Sequence, residues 1–150
     1  MPRRPRSSLD DGAFHVVSRG TARTAIVVDD VDRRAFVALL DLTVVRFEWE
    51  LDAYCLMTNH FHLVVTATRD RLSRGMHRLA GRHAERFNRR YDRVGHLFQG
   101  RYEARRIGSD ESLERVCRYV EDNPVRAGIC ATAEQWPWSS ARERAALSRP

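Results

Sequence analysis

The sequence predicts an α+β fold: a ferredoxin-like (RRM-like) antiparallel sheet with two packed helices, plus a tyrosine-bearing helix on the face that carries the site. Three observations predict it. Apolar periodicity runs in the order strand, helix, strand, strand, helix, strand, then one more helix, which is the split βαβ order. Each long helical segment has a single apolar stripe, so both pack on one face of a sheet. A chain of 150 residues with 43% apolar content and 5 prolines has the size and makeup of one globular domain. We divide it into a flexible basic arm over 1–11 and a single domain over 12–150.

Residues 13–19 read as the first strand, closed by Gly20, and His15 within it reads as a core or edge histidine. Ile26-Val27-Val28 reads as a short extended piece. Asp29 or Asp30 then caps a helix to about Arg46, in which Phe36, Leu39, Leu40 and Val44 recur at spacings of three and four. Residues 49–57 alternate and then turn fully apolar, the pattern of a central strand covered on both faces. Thr58-Asn59 is a tight turn into the next strand, making an antiparallel hairpin.

That next strand carries two histidines two residues apart. Side chains alternate along a strand, so His60, His62, Val64 and Thr66 share one face, and Phe61, Leu63, Val65 and Ala67 the other. The two imidazoles stand about 7 Å apart along the strand, close enough to converge on one ion. The alternative is that hydrogen bonds satisfy them and they do nothing chemical.

A second helix runs from about Asp70 to Tyr91. Leu72, Met76, Leu79, His83, Phe87 and Tyr91 form its inner face. Arg71, Arg74, Arg78, Arg82, Arg86, Arg89 and Arg93 follow the same spacing on another side, either as a solvated face or as a phosphate-facing flank. His77 and His83 read as surface or packing residues. After a turn-rich link over 95–100, residues 101–107 read as a strand with three arginines, and Gly108 ends it. Ser109 caps a third helix with Leu113, Val116, Cys117 and Val120 as its apolar face, stopped at Asn123 by Pro124. Trp136-Pro137-Trp138 reads as an aromatic clasp, and Ser139 caps a short terminal helix.

Composition narrows the function classes. All 26 basic residues are arginine, the net charge is +6 and the pI is near 10.0. These point to a polyanionic partner, nucleic acid before membrane, because no basic segment ends in an apolar anchor. Cys55, Cys117 and Cys130 form no CxxC pair, which fits buried thiols in a reducing cytoplasm. The N-terminus has no apolar signal region, and no apolar run reaches membrane-spanning length.

In the third helix Tyr119 and Asn123 are four apart and so share a face. If that helix lies across the open face of the sheet, the Asn123 amide oxygen can complete a site begun by His60 and His62. Two imidazoles and an amide oxygen with open positions suit Mg²⁺ or Mn²⁺ bound with a substrate phosphate. Tyr119, one turn away, could then attack phosphorus and form a covalent link. Packing for the tyrosine and a helix stop for the asparagine are the plain alternatives.

Five phrases bear on that choice: 14–20 (Phe-His-Val-Val-Ser-Arg-Gly), 56–63 (Leu-Met-Thr-Asn-His-Phe-His-Leu), 95–102 (Gly-His-Leu-Phe-Gln-Gly-Arg-Tyr), 118–128 (Arg-Tyr-Val-Glu-Asp-Asn-Pro-Val-Arg-Ala-Gly) and 136–140 (Trp-Pro-Trp-Ser-Ser). His60-Phe61-His62 resembles the HUH motif of single-tyrosine transposases, and the five phrases in order resemble the branch of REP-associated tyrosine transposases. The likeness spans about residues 12 to 142. It implies a ferredoxin-like HUH nuclease fold and a divalent-metal-dependent reaction on single-stranded DNA bearing hairpins. It implies Tyr119 as nucleophile, linked to a 5′ phosphate, and His60, His62 and Asn123 as metal ligands. Arg19, Arg101, Arg105 and Arg126 become the candidate DNA contacts, and Tyr102 either a base-stacking ring or a core-packing one. The oligomeric state is left as monomer or homodimer.

The chain departs from the family at Thr58, where proline is usual, and at Thr21, where asparagine is frequent. Glu121-Asp122 sets two carboxylates beside the site, where they would either join a metal shell or repel the DNA backbone. Two other functions compete: a non-catalytic hairpin DNA or RNA binder, and a metal-dependent hydrolase in which Tyr119 is structural.

Overall fold

A computed structural model describes residues 11–148. Four strands, β1 (Asp11–Arg19), β2 (Glu50–Leu56), β3 (His60–Thr68) and β4 (Glu103–Ile107), form one sheet in the order β2-β3-β1-β4. Every neighbouring pair is antiparallel. The long helices are α1 (Asp30–Arg46), α2 (Arg69–Arg90) and α3 (Asp110–Glu121), followed by the short α4 (Asn123–Arg126) and α5 (Ala141–Ser148). No described helix is long and apolar enough to cross a membrane. Each long helix begins on a side-chain cap: Asp29 accepts from the Asp32 N–H, Thr68 from Arg71 and Ser109 from Ser112.

The strand periodicity sorts the core into two layers. Phe14, Val16, Leu56, Phe61, Leu63 and Val65 meet Phe36 and Leu40 of α1 and Leu72, Met76, Leu79 and Phe87 of α2. On the opposite face, Ala13, Ala53, Cys55, Val64 and Ile107 meet Leu113, Cys117 and Val120 of α3. The helix layer is tied at its end by Asp32, which is buried and accepts from Val28 N at 2.8 Å, Tyr91 Oη at 2.6 Å and Arg90 Nη1 at 2.6 Å.

The structure corrects several expectations. β2 is an edge strand, not a central one. Its apolar character is explained by the C-terminal segment, which pairs along it: Leu56 N donates to Trp138 O at 2.8 Å, and Ser140 N to Tyr54 O at 3.0 Å. Trp136 adds a bond from Nε1 to Leu56 O at 3.0 Å, so the clasp is a real edge cover. Arg101 and Tyr102 precede β4 rather than opening it. Ile26 and Val27 are buried outside the sheet, and both of their N–H groups point at Thr58 O. The third helix ends at Glu121, with Asp122 as its C-cap, and Asn123 opens the next short turn. Asp11 belongs to β1, while the rest of the expected arm lies outside the described residues.

Through Gly75, α2 closely approaches Trp49, the residue before β2. A Cβ there would sit 2.7 Å from Trp49 Cε2, and Trp49 is itself held by its Nε1–H donating to Arg71 O at 3.0 Å. Gly75→Ala is therefore expected to lower stability by about 1–3 kcal/mol through overpacking, despite the better helix propensity of alanine. Urea unfolding of the two proteins checks this, and equal midpoints would refute it.

Candidate active site

The site forms where β3 begins and α3 ends. The β1–β3 register sets Arg19 opposite His60 and Val17 opposite His62. His60, His62 and His15 thus project from the α3 side of the sheet. The His60 and His62 ring centroids are 5.1 Å apart with planes at 79°. His60 Nδ1 lies 2.7 Å from Asn59 Oδ1. A carboxamide oxygen only accepts, so this nitrogen carries the proton and Nε2 keeps its lone pair. That Nε2 lies 3.4 Å from the Asn123 amide nitrogen. His62 Nδ1 lies 2.9 Å from His15 Nε2.

The imidazoles are held uncharged. Burial, helped by Arg19, pushes His60 down to about 4. Burial first, then the neighbouring His60 and His15, pushes His62 down to about 3. His15 is lowered by burial and by Arg105. The neutral imidazole is the form that ligates a metal. Among the described residues no three His, Cys, Asp or Glu side chains gather into a metal-binding group. The donor set is instead two imidazoles and, with its amide turned over, the Asn123 oxygen. Such an uncharged set fits a divalent ion that also takes oxygen ligands from outside the protein.

Tyr119 leans against this group. It is 53% exposed, so its ring does not serve the core. Arg126 Cζ lies 3.8 Å from the ring centroid, and His15 meets the ring edge-on at 6.2 Å. Arg126, Arg19 and Arg105 all bear electrostatically on the site imidazoles. Arg101 does not join them. It lines a cleft of about 640 Å³ beside α2 with Ser18, His77, Phe98 and Tyr102, next to the other face of the sheet.

Glu121 corrects an expectation from sequence. It is buried, accepts from Ser140 Oγ at 2.6 Å and pairs with Arg144 Nε at 2.7 Å. Its carboxylate is thereby committed to anchoring α3 and is turned to the C-terminal segment rather than to the histidines. His83 is a packing residue, as one of the two readings had it, with Nε2 at 2.7 Å from Ile26 O. His15 is the residue that sequence reasoning misplaced. It read as a core or edge histidine, but β1 lies inside the sheet and its register brings His15 to His62.

The α3 side of this antiparallel sheet thus presents an H-x-H pair beside an exposed helical tyrosine. The family described as "Transposase IS200 like" matches residues 8–123, and the chain belongs to that family. The fold is similar to that of a REP-associated tyrosine transposase bound to a REP hairpin, with a TM-score of 0.75, 17% identity, and coverage of 100% of this chain and 89% of that one. It is also similar to a candidate transposase from Deinococcus radiodurans R1, with a TM-score of 0.55, 20% identity, and coverage of 81% and 97%. No curated protein matches the chain.

The buried imidazoles make stability depend on pH. Their folded values lie below the ordinary 6.5, so between those values the unfolded chain binds more protons. Their contribution is complete above about pH 6.5 and is lost as pH falls through that window, toward about 4 for His60 and about 3 for His62. Urea midpoints measured across this range are expected to fall more steeply for the wild type than for a His60→Gln/His62→Gln double variant. Parallel curves would contradict the assignment.

Proposed function

We propose that this protein cleaves single-stranded DNA beside hairpins and transfers the strand through a 5′-phosphotyrosine intermediate on Tyr119. One observation carries the reading: an exposed phenol is held between Arg126 and His15 next to the His60–His62 pair. Membership of a transposase family supports DNA as the polymer. The likeness in fold to a transposase solved with a REP hairpin supports a hairpin-bearing strand and the REP-associated branch.

His60 and His62 would hold a Mg²⁺ or Mn²⁺ ion through their imidazoles, and Asn123 through its amide oxygen. When bound, the ion supplies Lewis-acid polarisation of the scissile phosphate. Tyr119 Oη gives up its proton and attacks phosphorus, so the P–Oη bond forms as the P–O3′ bond breaks. The departing 3′ oxygen takes a proton and leaves as a hydroxyl. The tyrosine keeps the 5′ phosphate, so one phosphodiester replaces another and no ATP is consumed. A 3′ hydroxyl that attacks the same phosphorus reverses the step and joins strands. Arg19, Arg105 and Arg126 engage phosphates that position the strand. Arg101 and Tyr102, away from the histidines, contact DNA only if the strand or its hairpin reaches the α2 cleft.

The test uses labelled single-stranded hairpins from the DNA flanking the gene, incubated with protein and Mg²⁺ or Mn²⁺ and run on a denaturing gel. A metal-dependent protein–DNA adduct is expected with the wild type and with neither Tyr119→Phe nor His60→Ala. Tight binding with no adduct on any hairpin would replace this reading with the non-catalytic binder. Metal-dependent cleavage that survives Tyr119→Phe would replace it with the hydrolase.

A further inference from the structure

The contact between His15 and His62 joins two rings that share a single proton. Besides the 2.9 Å separation of His15 Nε2 and His62 Nδ1, the ring planes lie within 19° of each other and the centroids are 5.2 Å apart. Rings stacked face to face at that centroid spacing would not bring two nitrogens so close. The imidazoles instead meet end to end and nearly coplanar, the geometry of a directed hydrogen bond. His15 is placed there by β1, where it adjoins Val17, the cross-strand partner of His62. Its ring also meets Tyr119 edge-on at 77°, and Arg105 stands opposite it on β4.

His60 supplies the comparison. Its Nδ1 must donate, because the partner is Asn59 Oδ1 at 2.7 Å, and so its Nε2 is bare. At His62 the partner of Nδ1 is a different group, an imidazole, which accepts or donates according to its own tautomer. The direction of that one hydrogen bond decides whether Nε2 of His62 offers a lone pair or a proton to the site.

We propose that His15 is a positioning residue whose Nε2 accepts the Nδ1–H of His62, fixing His62 in the tautomer that presents a bare Nε2 beside that of His60. His15 then keeps its own proton on Nδ1. Asn59, in the turn before β3, and His15, on β1, thereby do the same work for the two histidines, one by an amide oxygen and one by a ring nitrogen. Through its contact with Tyr119, His15 also ties the orientation of the histidine pair to that of the phenol. The role assigned to the bare Nε2 rests on the metal-binding reading above; the tautomer does not.

Long-range ¹⁵N–¹H spectra of the histidines in the wild-type protein at neutral pH test the tautomers directly. Both His15 and His62 are expected as Nδ1–H species, and an Nε2–H His62 would overturn the proposal whatever the variants do. Binding of Mn²⁺, followed by loss of the free-ion EPR signal, is then compared for wild type, His15→Phe and His15→Gln. Phenylalanine keeps a flat ring but removes the acceptor, and affinity is expected to drop about 10–100-fold. Glutamine places an amide oxygen near the lost nitrogen, and affinity is expected to return toward the wild-type value. Unchanged Mn²⁺ affinity in a folded His15→Phe protein would also overturn the proposal. Should His15→Phe not fold, the wild-type tautomers alone decide. A wild type that binds no Mn²⁺ would defeat the functional reading, and the tautomers would still decide this one.

Discussion

The site depends on the register between β1 and β3. A shift of one residue would turn every side chain of one strand to the other face. The observed pairing, with Arg19 opposite His60 and His15 opposite Val64, brings three histidines and an arginine to one side. The register is pinned at the end where the chemistry lies. Gly20 N donates to Asn59 O at 2.8 Å, and Gln99 N donates to Arg19 O at 2.8 Å. A side chain at Gly20 would run into the Thr24 carbonyl, so the turn that makes this pinning possible is closed to other residues. Asn59 is held by its backbone in the same place where its side chain fixes the His60 tautomer.

The second constraint is how α3 is kept on the sheet. Its apolar stripe is short, and Leu113, Cys117 and Val120 alone make a modest core. The C-terminal segment supplies the rest. Ser139 bridges Cys55 on the β2 edge, while Ser140 and Arg144 grip Glu121. A buried carboxylate without its partners would cost several kcal/mol, so this contact acts more through position than through net stabilisation. It fixes the last turn of α3, two residues before Asn123 and two after Tyr119. The phrase 136–140, far from the histidines in sequence, therefore bears on the site through the helix that carries the phenol.

These two constraints explain what the sequence disclosed and what it hid. The alternation in 60–67 and the stripes of α1 and α2 were legible because each is a local period that burial imposes on neighbouring residues. The same alternation placed His60 and His62 on one face, and the cap at Ser109 located the helix of Tyr119. The position of β2 was not legible. A strand covered by a loop from 80 residues further on has the same apolar signature as one flanked by two strands. His15 was hidden for a related reason: its partner lies 47 residues away, and nothing local to β1 specifies the register. Glu121 looked like a threat to the site because the sequence shows a charge but not the ion pair that absorbs it.

Electrostatics then limits what the site can hold. On the proposed reading the donors His60, His62 and Asn123 bring no negative charge, and Arg19, Arg105 and Arg126 bear on the site imidazoles with positive charge. Glu121, a buried carboxylate at the end of α3, is paired with Arg144. A divalent cation arriving alone would meet three guanidinium groups and, in this donor set, no carboxylate to offset them. A phosphate arriving alone would find the arginines but also a set of lone pairs turned toward it. On the proposed reading each removes the other's penalty: the phosphate supplies the charge the protein withholds, and the cation covers the lone pairs. Linkage requires this coupling to be mutual, so DNA would tighten cation binding by the factor by which the cation tightens DNA binding. A carboxylate in place of Asn123 would bind the ion more strongly and weaken that dependence, which gives a physical reason for an amide at this position.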